Sequence, residues 1–452
     1  MLIADDIVVI TKNEAEMQLA LNLISDYTKK WKLAINGHPK SALMVIGNKK
    51  FKERVKKTVF TCDRKPIVPV KDYKYLGVWM SDDLSWNKHV NFILKRARAN
   101  AGVLMLQMRR DAKVRPRTAI YLFNAIVRPR LEFGCEVWSM SISKAKQKEI
   151  QSVFDDFNRR LLSMPSRIPQ AFINFELGST RLLARHHKLT FDYFMKTSAH
   201  RPNRLNHVTL SSLLSSARPT VWERGFRDVL SSLALNDLPP RGSAVQILRS
   251  FCEGSVNLIS LDEREEMFVR SSLENCQSLH LHAAVRNHED ISKGYAWAKT
   301  HIGRKSYRQF QHYLDNWRDQ GKTAKLKLLA RADSLMLRAQ QRRFYKLDRA
   351  DGCCNLCDSS VQQTLLHLCC DCHSTTYIRS SLYNKVLAHL ASCNRGPKLR
   401  DTALQPEEFD AFDNLNKFYI CLGKPTGCLK ADMRIDASFR TFLRKLHNMV
   451  NN

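Results

Sequence analysis

The hydrophobic and polar positions fall into short strand-like runs at the start of the chain and then settle into a helical period. Residues 1–10 read as two short β-type runs hinged on the adjacent carboxylates Asp5 and Asp6. From Asn13 to Lys32 apolar or small residues recur at helical spacing (Met17, Ala20, Leu21, Ile24, Thr28, Trp31), and Asn13 with Glu16 forms a capping box. Strand-like segments follow at residues 42–47 and 73–78. The polar turn Ser81-Asp82-Asp83-Leu84-Ser85-Trp86 then leads into a helix. From His89 to Arg109, Val90, Ile93, Leu94, Ala97, Ala101, Leu104 and Met108 mark one apolar stripe, with Lys95, Arg96, Arg98, Arg109 and Arg110 off it or at its end.

Residues 200–300 are punctuated by Pro and Ser around short amphipathic patches such as Val221 to Leu235, which predicts a helical linker. A second basic helix is expected through residues 322–346, with Leu328, Leu335, Ala339 and Phe344 facing a core and the cations outward.

With 452 residues the chain can form two or three domains, and its 44% hydrophobic and 26% charged content is that of a globular protein. A formal charge of +30 points to a polyanionic partner, most commonly nucleic acid. A basic helix face is usually just a solvated one. Between Lys88 and Arg130, however, eleven Lys and Arg stand with a single acid, Asp111, which favours phosphate contact. No apolar run reaches transmembrane length, and the start has no signal-peptide layout. Of thirteen cysteines, seven lie between Cys353 and Cys393, which suits a metal site in a reducing compartment, nuclear or cytoplasmic, better than a disulfide scaffold.

Two motifs carry candidate chemistry. Asp5 and Asp6 could hold Mg²⁺ for phosphoryl transfer, although an Asp-Asp turn between apolar runs is also ordinary turn chemistry. Cys354-x2-Cys357-x9-His367-x4-Cys372 has the spacing of a closed, four-ligand structural zinc site. Cys353 could replace Cys354, and Cys369, Cys370 or His373 could compete for the later positions. Buried free cysteines plus a surface histidine is the bland reading.

Taken in order, these motifs resemble the rear of the palm and the thumb of a reverse transcriptase from non-LTR (LINE-type) retrotransposons. The resemblance rests on Ala4-Asp5-Asp6, Leu33-Ala34-Ile35-Asn36 with Lys40-Ser41, Tyr75-Leu76-Gly77 before Leu84-Ser85-Trp86, the segment 122–134 with Val137-Trp138, and Glu176-Leu177-Gly178. It covers residues 1–196 and again 322–383, where Thr364-Leu365-Leu366-His367 and Arg379 resemble the family's C-terminal cysteine–histidine motif. It implies an α+β fold: a truncated polymerase palm of small antiparallel sheet plus helix, a mostly helical thumb and C-terminal region, and a small zinc-binding module.

The domains expected are 1–86 (partial palm), 87–200 (thumb-like helices), 201–321 (helical linker), 322–392 (basic helix plus zinc module) and 393–452 (tail). The family activity implied is RNA-templated DNA synthesis with Mg²⁺ at Asp5 and Asp6, and Lys40 matches a lysine near the active site. Lys95, Arg96, Arg98, Arg109 and Arg110 would meet an RNA template, a DNA primer or an RNA–DNA hybrid. Two departures stand out. Ile3 replaces the family's aromatic residue, and the fingers and an earlier palm aspartate are missing from the sequence, so polymerisation by this chain is not expected. A host-co-opted binding module, or a degenerate reading frame without function, remain open readings, and about eighty residues beyond the Cys/His motif show no nuclease signature.

Overall fold

The computed structural model describes residues 2–3, 6–36, 40–110, 114–179, 181–198, 203–214, 218–235, 311–315, 321–332, 334–357, 359–393, 403–424 and 426–451. They form a mostly helical molecule with three two-stranded antiparallel sheets, compatible with the α+β expectation. No helix among the described residues is long and apolar enough to cross a membrane.

The sheets are all hairpins. β1 (Leu2–Ile3) pairs with β2 (Asp6–Ile7), β3 (Phe60–Cys62) with β4 (Lys65–Ile67), and β5 (Asp72–Tyr75) with β6 (Val78–Ser81). The run 73–78, expected as one strand, is therefore bent: Leu76 and Gly77 take positive φ (47° and 89°), as a two-residue hairpin loop of this twist requires. A Cβ on Gly77 would also sit 3.0 Å from the Phe133 ring. Residues 42–47, expected as a strand, contribute a single bridge from Leu43 to Pro69.

Helix α1 (Glu14–Lys30) starts at Asn13, whose side chain accepts from the Glu16 N–H at 2.9 Å. The Glu16 carboxylate reaches back to the Lys12 N–H at 3.0 Å, a one-residue variant of the box. Met17 and Leu21 join α2 (Lys49–Val55), β3 and β4 in a small core with Leu43, Val55 and Phe60. Trp31, expected on that stripe, is exposed and continues a row with Leu19, Leu23 and Tyr27 on the far side of α1.

The main core is built on α3 (Asn87–Arg110), whose Val90, Ile93, Leu94, Ala97 and Leu104 are buried as the periodicity predicts. They pack on α4 (Pro116–Ile126), α5 (Arg128–Glu132), α6 (Cys135–Trp138) and α7 (Lys144–Leu161). At its centre Trp138 lies edge-on to His89 (centroids 5.5 Å) and His186 (5.4 Å). Burial holds both imidazoles neutral, pulling His89 down to about 4 and His186 to about 3. Helices α8 (Gln170–Glu176), α9 (Leu182–Ser198), α10 (Leu205–Leu214) and α11 (Val221–Leu235) complete this half.

The second basic helix is two helices, α12 (Lys322–Arg331) and α13 (Arg338–Tyr345). Leu328, Leu335 and Ala339 are buried as expected, but Phe344 is exposed, and Lys327 and Arg331, expected outward, are buried. The reason lies in distant carboxylates. Arg331 Nε donates to Glu176 Oε1 at 2.7 Å, and Tyr313 Oη donates to Glu176 Oε2 at 2.7 Å. The Lys327 ammonium pairs with Asp436, which also accepts from Arg440 Nε at 2.9 Å. Gly423 lets Arg331 through: a Cβ there would lie 2.5 Å from its Nη1, which donates to the Leu422 carbonyl. Around this joint, Leu162, Phe172 and Leu177 pack on Tyr313, Leu314 and Leu328.

The C-terminal core is formed by α14 (Thr376–Cys393), α15 (Pro406–Ala411), α16 (Asn414–Leu422) and α17 (Leu429–Asn451). Phe409, Phe418, Phe439 and Leu443 lie at its centre.

Candidate metal centre and nucleic-acid face

A short hairpin presents the first cysteine pair. Cys354 N–H donates to the Val361 carbonyl (2.9 Å) and Gln363 N–H to the Gly352 carbonyl (2.8 Å), which leaves Cys354 and Cys357 on the tip turn. The second pair comes from a π-helical turn, His367–Asp371, started by Thr364, whose hydroxyl accepts from the His367 N–H at 3.1 Å. The turn closes with Cys372 N–H donating to the His367 carbonyl at 2.8 Å. Buried Arg379 from α14 fixes it by donating to the Cys372 carbonyl (3.1 Å) and to Thr375 Oγ1 (3.3 Å).

The result is four buried side chains, Cys354, Cys357, His367 and Cys372, whose ligand atoms all lie within 4.8 Å of one another. Cys357 Sγ is 3.4 Å from His367 Nε2. Zinc–sulfur bonds of about 2.3 Å imply tetrahedral edges of roughly 3.8 Å, so the group needs little contraction to close on an ion. Ser359, at 2.8 Å, pulls the Cys357 thiol down to about 6, with His367 adding to the effect, while burial pushes Cys354 up. A thiolate-forming sulfur beside an imidazole is what a soft or borderline cation selects, so this Cys/His set could hold a metal such as zinc.

The competing candidates lie elsewhere. Cys353 Sγ faces the Arg349 and Ser360 carbonyls, Cys370 Sγ faces the Asn414 carbonyl, Cys369 is buried in the apolar core, and His373 is exposed.

The basic residues of α3 stand away from this centre. Lys95, Arg96 and Arg98 are exposed and form no ion pair among the described residues. The side chains of Arg109 and Arg110 lie outside the described residues. The pattern also omitted four neighbours. Phe92 lies between Lys74 (4.9 Å to the ring centroid) and Arg96 (5.4 Å), and Lys88 covers Trp79 at 5.3 Å, with Trp79 edge-on to Phe92 at 6.1 Å. Lys88, Phe92 and Arg96 recur every fourth residue, so the stripe was present in the sequence beside the apolar one. Cations over aromatic faces make a ledge suited to phosphates and stacked bases.

The opening hairpin gives less. Asp6 is exposed on β2 opposite Ile3, and Asp5 lies outside the described residues. Lys40 is exposed, and its carbonyl accepts from Tyr73 Oη. Among the described residues, Asp6 belongs to no group of three metal-ligating side chains.

No family model matches the chain. Over 222 residues it is 22% identical to the probable RNA-directed DNA polymerase from transposon X-element of Drosophila melanogaster. The match covers 48% of this chain and 23% of the relative, so the chain spans about a quarter of that protein's length. The chain is thus distantly similar to a transposon reverse transcriptase.

Proposed function

We propose that these residues are a nucleic-acid-gripping part of a retrotransposon RNA-directed DNA polymerase of the non-LTR type, with residues 1–86 as the rear of the palm and 87–200 as the thumb. Residues 201–321 would be a helical linker, 322–392 a basic segment with a structural zinc module, and 393–452 the tail. The observation that carries this reading is the face of α3: exposed Lys95, Arg96 and Arg98, without acidic partners among the described residues, beside the Lys74–Phe92–Arg96 ledge. Such a face contacts backbone phosphates and positions a duplex without reading its sequence. Arg109 and Arg110 extend the same contact in this proposal.

Zn²⁺ belongs at Cys354, Cys357, His367 and Cys372, where four protein ligands leave no position for a reacting water and the role is structural. Asp5 and Asp6, with Lys40 nearby in the family pattern, are assigned to Mg²⁺ and the primer end. Two-metal transfer needs a further carboxylate from another strand, so binding of RNA or an RNA–DNA hybrid is the activity proposed for these residues.

The test is binding of an RNA–DNA hybrid across a salt series. Replacing Lys95, Arg96 and Arg98 together by Gln should lower the log–log salt slope by about 2 to 3 and weaken binding of every sequence alike. Unchanged affinity and slope would remove the thumb assignment.

A further inference from the structure

Between α4, α5 and the start of α9 lies a cavity of about 100 Å³ lined by three arginines and no acid. The arginines are Arg128, Arg181 and Arg185, and Asn124 and Ser179 line it with them. A single carboxylate answers two of these charges: Glu132 accepts from Arg185 Nε at 2.7 Å and lies 3.3 Å from Arg128 Nε. Arg181 makes no ion pair among the described residues. Asp155, an acid that its charge reaches, has its carboxylate turned to Gln151 and Asn174. In two of the lining residues a buried polar atom makes no hydrogen bond among the described residues: Ser179 Oγ, and Arg128 Nε, which only faces Glu132 in the ion pair.

Holding three like charges around one small space, with one carboxylate between them, costs free energy that an anion would recover. Burial and the neighbouring Arg185 already pull the Arg128 guanidinium down, against the opposing pull of Glu132. The cavity also opens at the first turn of the 17-residue helix α9, where the backbone favours negative charge.

We propose that this cavity is a binding site for one phosphate group. Arg128, Arg181 and Arg185 supply forked charge-assisted hydrogen bonds, and Ser179 Oγ and Asn124 supply neutral ones. Tetrahedral oxygens pointing in several directions match donors on several sides, whereas a planar carboxylate or a chloride ion would leave some of them unanswered. The space takes several water molecules or one tetrahedral oxyanion, so any sugar or base carried by the phosphate stays outside. The site does not rest on the nucleic-acid reading of α3, because none of its residues belongs to that ledge.

The experiment is calorimetric titration of the full chain with inorganic phosphate, at an ionic strength held constant with chloride. Saturable one-to-one binding is expected, with the melting temperature rising as phosphate is added. Arg181→Gln, at an exposed position, and Ser179→Ala should each weaken phosphate about ten- to a hundredfold while leaving the melting temperature without phosphate nearly unchanged. No saturable binding above chloride, or equal binding by both variants, would overturn the site. A competition arm identifies the source. A 5′-phosphorylated oligonucleotide that displaces phosphate where its unphosphorylated twin does not assigns the site to a strand end. Failure of both to compete assigns it to free phosphate or a small phosphoester. The triple Gln variant of α3 should keep its phosphate affinity, so loss of one site is distinguishable from loss of the other.

Discussion

Helices α3 and α12 are both rich in cations and both amphipathic, yet they use their charges in opposite ways. On α3 the apolar stripe is buried, and Lys95, Arg96 and Arg98 stand in solvent without counter-ions among the described residues. On α12, Lys327 and Arg331 point inward, each about 3% exposed, and meet Asp436 and Glu176. The first helix keeps its charge for a partner outside the molecule, and the second spends it on holding two halves of the molecule together. Composition cannot separate the two uses; the difference is whether a carboxylate from elsewhere in the chain arrives beside the cation.

The largest break in this contrast should come from the metal centre. If zinc holds Cys354, Cys357, His367 and Cys372, metal analysis under reducing conditions gives near one equivalent. A strong chelator, or Cys357→Ser with His367→Ala, then unfolds the C-terminal core while the α3 core keeps its own cooperative melt. Loss of both melts together would show that the two regions are one cooperative unit.

Next in size are the buried carboxylates. Asp436→Asn removes the carboxylate that faces Lys327 and Arg440 in the interior, and Glu176→Gln removes the one that faces Arg331, so each should cost about 3–5 kcal/mol in urea denaturation. Replacing Lys327, Asp436 and Arg440 together by Met, Leu and Met should come near neutral, since no charge is then stranded. A large loss in the triple variant would show that these ion pairs do more than satisfy one another.

Acid separates the buried histidines from the buried carboxylate Asp436 by pH window. Burial depresses His89 to about 4 and His186 to about 3, below the unfolded value of about 6.5. Their contribution is fully present above that unfolded value. It is lost as pH falls from 6.5 toward 4, because the unfolded chain then binds protons that the folded chain refuses. A fall of about 1 kcal/mol per pH unit from each histidine is expected for the α3 core, and His89→Asn should remove its share. At Asp436 burial alone would raise the carboxyl, but Lys327 and Arg440 outweigh it and hold it low. Its contribution therefore survives down to the unfolded value of about 3.9 and is lost only below that, as pH falls through the folded one. An unchanged pH dependence in His89→Asn, followed by denaturation at pH 6.5, 5 and 3.5, would contradict this environment.

The smallest effect on stability should come from the α3 cations. Gln at Lys95, Arg96 and Arg98 touches no buried contact and should leave the melting temperature nearly unchanged while nucleic-acid binding falls. A marked loss of stability would mean that these side chains serve the fold after all.

Local signals were legible wherever the partner lay close in the chain. The Asn13 cap, the α3 stripe and the Cys354–Cys372 spacing each depend on residues within about two dozen positions. The burial of Lys327 and Arg331 was not legible, because their counter-charges lie 109 and 155 positions away. Tyr73–Val78 looked like one strand because its residues favour β structure. Only the pair Leu76-Gly77 marked the turn, and a leucine at positive φ is an unusual choice there. Trp31 and Phe344 were placed inside on helical period alone, although period does not say whether a second layer covers the face. The arginine-lined cavity was not legible: Arg181 and Arg185 share a helical spacing, but only the fold brings Arg128 of α5 beside them.

The bond between Glu176 and Arg331 also sets a schedule for synthesis. Ribosomes add about 5–20 residues per second, so the 155 positions separating the pair take on the order of ten to thirty seconds to make. For that interval the first half of the protein has its helices but not the arginine, tyrosine and leucines that close over Glu176. For that time it carries a bare carboxylate in the middle of an open apolar face, with the whole C-terminal core still to come. Chains halted short of residue 321 should therefore collect on chaperones or in aggregates, and full relief should come only once the last helix, which brings Asp436 to Lys327, has been made.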